Sequence, residues 1–127
     1  MFRSLEVPEV YGLPEDFDPA TFVGCEFETL TFASNAIFLV FGEEHSVTVA
    51  HHVRYRLAHG AELRDDVLPV TDSGLPALLG RSVERAEVRR PGDLLLHFEG
   101  GGMLLVEDHD EHYESYSVKT PTGEIFV

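Results

Sequence analysis

Twelve consecutive positions, EDHDEHYESYSV at 107–118, hold five carboxylates, two imidazoles and two phenols. Side chains of these types bind a transition metal, or present negative charge and aromatic surface to a basic protein. His109 and His112, with Glu107, Asp108, Asp110 and Glu111 around them, contain enough donors for Zn²⁺ or Ni²⁺, and His51 and His52 add two more earlier in the chain. Spacing decides between the readings. On extended chain, residues three apart point to opposite faces, so this pair reaches one ion only from a turn. We therefore expect no bound metal and no cofactor, and keep a metal- or small-ligand-binding module on His109 and His112 as the alternative. The favoured reading is a partner surface of Asp108, Asp110, Glu111, Tyr113, Glu114 and Tyr116. Its acids steer a Lys/Arg-rich protein, and its tyrosines supply contact area.

Other chemistries find no support. The stretch lacks the Asp-x-Asp-x-Asp-Gly layout of a calcium loop. Cys25 has no nearby base and follows a glycine at a strand entrance, which suits a small buried thiol. No serine sits in a G-x-S-x-G elbow, and EGGGM lacks the Lys and Ser/Thr of a phosphate loop. No pair of carboxylates stands out as a hydrolase pair among 23 acids. The protein is read as a non-enzyme. His97, between Leu96 and Phe98, reads as a half-buried, hydrogen-bonded histidine.

Charge sharpens this. The net charge of −14 over 127 residues disfavours nucleic acid and anionic membrane, and steers basic partners. Residues 1–53 carry nine acids and one base, 54–90 carry six and seven, and 91–127 carry eight and one. The central bases read as cross-strand partners for neighbouring acids. One cysteine excludes an internal disulfide, and MFRSLEVPEVYG has no apolar core long enough for a secretion signal. A cytoplasmic protein is expected.

The elements that position these residues come from an internal match. GCEFETLTF (24–32) resembles GRSVERAEV (80–88), and IFLVFGEEHSVTV (37–49) resembles LLLHFEGGGMLLV (94–106). Apolar positions alternate at period two, which predicts strands, and Phe27 to Leu30 and Val83 to Ala86 break phase alike, which predicts a shared β-bulge. Each copy reads as a three-stranded meander, with the third strand of the first copy running through 45–57. TDSGLPALLG (71–80) reads as a short helix capped by Asp72 or Ser73. The expected fold is mainly β (α+β): two antiparallel meander repeats with one short helix between them, as a small sandwich or partly closed barrel. One domain over 1–127 is expected, with an extended arm at 1–20, repeats at 21–57 and 80–127, and the helix at 71–80. Edge strands left by such meanders predict a homodimer.

Leu78-Leu79-Gly80, Val83 with Val88, the hairpin Phe98 to Val106, and Tyr113-Glu114-Ser115-Tyr116 together resemble a family of small bacterial β-rich domains of uncharacterised function. The resemblance covers the last half of the chain well and the first half loosely. It implies no activity; by analogy such domains look like the immunity and accessory proteins of bacterial toxin systems.

Overall fold

The computed structural model describes residues 13–58, 60–66, 73–89, 92–108 and 116–127. Among these residues ten strands follow one another: β1 (Phe27–Phe32), β2 (Ile37–Phe41), β3 (His45–Val49), β4 (His52–Arg56), β5 (Glu62–Asp66), β6 (Val83–Arg89), β7 (Asp93–Phe98), β8 (Met103–Val106), β9 (Tyr116–Thr120) and β10 (Gly123–Phe126). They form two five-stranded sheets, β1-β2-β3-β9-β10 and β5-β4-β8-β7-β6, with antiparallel pairing throughout. The arrangement is a small β-sandwich rather than a closed barrel.

Alternation explains the sandwich. Ile37, Leu39 and Phe41 from the first sheet, and Leu94, Leu96 and Phe98 from the second, are at most 1% exposed and belong to one core. Phe27 stacks on Phe41 with ring centroids 5.0 Å apart and lies 6.2 Å from Phe98, so three phenyl rings tie sheet to sheet. The predicted phase slips are register shifts between Phe27 and Thr29 in β1 and between Val83 and Arg85 in β6.

Two expectations need correction. The stretch 45–57 is not one strand. It bends at Ala50–His51, so that β3 pairs with β9 in the first sheet while β4 pairs with β8 in the second. Val47, Val49, Val53 and Tyr55 keep one parity and all stay in the core, because the strand folds around its apolar side. Period-two alternation cannot see such a bend. The helix at 71–80 is smaller than expected: a single 3-10 turn, Leu75–Leu78, lies in its described part, and residues 71 and 72 lie outside the described residues. Pro76 sits in its first turn, where proline is tolerated, and the extended Leu79 ends it. In the stretch expected as an extended arm, Leu13 is buried and Pro19 opens a 3-10 turn, Pro19–Phe22.

The two halves also meet backbone to backbone. Gly24 N–H donates to the Val83 carbonyl and Gly80 N–H to the Phe27 carbonyl, each at 2.8 Å. Phe27 N–H donates to Arg81 and Val83 N–H to Cys25, each at 2.9 Å. These bonds clasp the starts of β1 and β6 around the bridge between Glu26 and Ser82.

Candidate functional site

Of the acidic stretch, Asp108 and Tyr116 fall among the described residues; Asp110, Glu111, Tyr113, Glu114, His109 and His112 lie outside them. Tyr116 is not a surface anchor. It is 1% exposed, and its hydroxyl donates to the Gly92 carbonyl at 2.5 Å. Opposite Val49 in the β3–β9 ladder, it falls on the inward parity of β9. Burial first, then Asp93 and Asp108, push its phenol far above the ordinary range. Asp108 closes the same corner. Its backbone N–H donates to Asp93 Oδ1 at 3.0 Å, and its side chain lies so near Gly92 that an added Cβ would stand 2.5 Å from Oδ2.

Two histidines, His52 and His97, are held by acids of the protein itself. His52 is 6% exposed, with Nε2 3.0 Å from Glu107 Oε1, and Arg54 Nε approaches that oxygen at 3.3 Å. His97 Nε2 lies 3.2 Å from Glu87, which also pairs with Arg85. Among the described residues, no three His, Cys, Asp or Glu side chains are grouped to hold a metal ion. The outer face of the second sheet is thus laced by Arg54 with Glu62 and Glu107, Arg64 with Asp66, and Arg85 with Glu87.

Cys25 does have a base nearby, contrary to the sequence reading. His45 Nδ1 lies 3.6 Å from its sulfur, and His45 Nε2 lies 2.8 Å from Thr21 Oγ1. The fold brings them together through the hairpin β2–β3 and the turn Pro19–Phe22. Burial and, secondarily, Glu28 push the thiol above its usual range, so it stays protonated at neutral pH. The trio serves as a hydrogen-bonded seam beside Phe22, whose ring lies 5.2 Å from the imidazole. A second polar seam escaped the sequence reading. Asp65, 6% exposed, accepts the Tyr55 hydroxyl at 3.0 Å and the Ser73 hydroxyl, while Gly74 N–H donates to Tyr55 at 2.7 Å. Burial raises the Tyr55 phenol.

The concave site is elsewhere. A cleft of about 450 Å³ opens between the segment entering the first 3-10 turn and the β9–β10 hairpin. Asp16, Asp18 and Glu124 line it, with Thr21, Thr120 and Thr122 beside them and Phe17 and Ile125 giving apolar contact. Asp18 Oδ1 accepts the Ala20 N–H at 3.0 Å, which holds the 3-10 turn and fixes that carboxylate. The Thr122 N–H donates to Thr120 Oγ1 at 3.3 Å, which sets the hairpin turn. No described cation pairs with Asp16, Asp18 or Glu124. Three carboxylates around apolar and hydroxyl surface suit the stem and head of a Lys or Arg side chain. Asp16 and Glu124 stand near opposite ends of the chain, so no sequence window contains the site.

The model of a family of unknown function, DUF6188, matches residues 19–127, spanning both sheets and the hairpin wall of the cleft. No curated protein and no solved structure matches the chain. The chain belongs to the DUF6188 family.

Proposed function

We propose that this member of a family without assigned activity is a non-enzymatic binding protein, immunity-like or regulatory, whose partner is a basic protein. The carrying observation is the cleft: Asp16, Asp18 and Glu124 converge there without a described cation, while arginines of the second sheet are spent on neighbouring acids. A net charge of −14 steers a cationic partner toward the surface, and the cleft selects a Lys or Arg stem with its charged head. Asp108, Asp110, Glu111, Tyr113 and Glu114 stay candidate partner contacts in this reading; Tyr116, being buried, does not. No helix among the described residues is long and apolar enough to cross a membrane.

The test is a titration of isotope-labelled protein with a short Lys/Arg peptide, using a poly-Glu peptide of equal length as control. Amide shifts centred on Thr21, Thr120, Thr122 and Ile125, weakened by salt, support the reading. The double variant Asp16→Asn, Asp18→Asn, which keeps an Asx cap at 18, should weaken binding roughly tenfold, the scale of one or two charge-assisted contacts. Shifts scattered over the surface and indifferent to that variant would refute it.

A further inference from the structure

The outer faces of the two sheets differ in how many charged side chains they carry. On the second, Arg54 pairs with Glu62 across the β4–β5 ladder and with Glu107, while Arg64 and Arg85 pair with Asp66 and Glu87 two residues on in their own strands. On the first, two rows cross all five strands in register. One row is Thr31, Phe38, Thr48, Ser117 and Phe126; the other is Thr29, Val40, Ser46, Lys119 and Glu124. Lys119 and Glu124, opposite each other in the β9–β10 register, are the charged members; their formal charges sum to zero, with no described ion pair between them. Phe38 is 38% exposed and Phe126 54%, although β2 already buries Ile37, Leu39 and Phe41 on its other side. In a chain of net charge −14, these two rows of described residues carry no net charge.

We propose that this face binds a second copy of the same chain, sheet packed on sheet. Two strongly acidic molecules repel wherever their acidic surfaces meet, so association of like copies is least opposed where the face is neutral. The pattern is also self-complementary. A two-fold axis parallel to the strands, between β3 and β9, lays β2 over the partner's β10 and β3 over the partner's β9. Phe38 then meets Phe126, Thr48 meets Ser117, and the same contacts recur across the axis, as an isologous interface requires. Aligned sheet packing of this kind occurs inside sandwiches, with twist rotating the two sheets by about 30°. This occupant differs from an edge-paired dimer, since β1 and β10 stay unpaired at their edges.

Size sets the strength. Five strands at about 4.8 Å spacing and four to five residues at about 3.4 Å give a footprint of about 24 by about 16 Å. That is well under the roughly 800 Å² per partner of a standard stable interface. The dimer is therefore weak, with a dissociation constant on the order of 10–500 µM.

Sedimentation velocity across about 5 µM to about 1 mM, bracketing that range, tests this. The expected result is a mass rising from the 14.2 kDa monomer toward twice that value. Phe126→Glu and, separately, Lys119→Glu should each raise the dissociation constant at least tenfold. Lys119→Glu changes an exposed side chain without touching the core, so it reports even if Phe126→Glu misfolds. Val23→Glu, exposed in the turn after Phe22, should leave dimerisation unchanged. A monomer at every concentration overturns the proposal, and so does a dimer that both face variants leave intact. Glu124 borders both this face and the cleft and is left unaltered, so loss of peptide binding in Asp16→Asn, Asp18→Asn is separate from loss of dimer.

Discussion

Tyr116 and Gly92 show how a residue offered as surface chemistry becomes a structural lock. The phenol donates to the Gly92 carbonyl while the Asp108 side chain closes over Gly92 from the other side. Tyr116→Phe should cost about 1–2 kcal/mol, the range for removing one partner of a buried hydrogen bond, read by urea unfolding. The same phenol sets a pH dependence. Its folded pKa lies above the unfolded value, so its stabilisation is complete below about pH 10 and is lost as pH rises beyond it. Tyr55 is raised in the same direction, so it loses stability on the same side. Unfolding free energy should therefore fall above about pH 10, and less steeply in Tyr116→Phe. Gly92→Ala should destabilise by about 1–3 kcal/mol through overpacking. Asp108→Ala should not rescue it, because the Asp108 Cβ itself would stand 2.7 Å from the new methyl.

At the scale of elements, the clasp between the starts of β1 and β6 carries the clearest expectation. Gly24 and Gly80 have φ of +89° and +87°, and an added Cβ at either meets nothing within 4 Å. Alanine there is penalised by backbone conformation alone, at about 1–2 kcal/mol. Gly24→Ala and Gly80→Ala should therefore lose nearly equal stability in parallel denaturant titrations. A large difference would show that the clasp is not balanced. The neighbouring hairpin behaves otherwise. Gly102, at φ +97°, would place a Cβ 3.1 Å from Leu78 Cδ2 and 3.2 Å from the Arg56 carbonyl, so the second 3-10 turn packs directly on that hairpin.

For the whole molecule, charge is the governing quantity. Nine bases face 23 acids, and Arg54, Arg64 and Arg85 of the second sheet are paired with acids nearby. The surplus is self-repulsive and screened by salt, with a Debye length falling from about 30 Å at 0.01 M to about 8 Å at 0.15 M. Thermal stability should rise between those ionic strengths by calorimetry, on the order of 1 kcal/mol or more. Self-association should strengthen over the same interval while capture of a cationic peptide weakens. Opposite salt slopes separate the two surfaces in a single set of titrations.

Strands and bulges were legible in sequence because they are local consequences of period. Ile37-Leu39-Phe41 and Leu94-Leu96-Phe98 alternate, and the three-residue steps after Phe27 and Val83 shift phase where the bulges fall. The composition also fixed the acidity and its uneven spread. Other features depend on where the chain turns in space. The bend at Ala50–His51 keeps Val49 and Val53 on one inward parity, so alternation runs through it without a mark. That bend sends β4 to the second sheet, and β9 takes its place beside β3. This exchange buries Tyr116 beside β3 and brings the β9–β10 hairpin, with Glu124, to the cleft that Asp16 lines, while the β2–β3 and β4–β5 hairpins bring His45 to Cys25 and Asp65 to Tyr55. Side-chain period reports which face a residue takes within a strand; which sheet the strand joins is decided by tertiary packing.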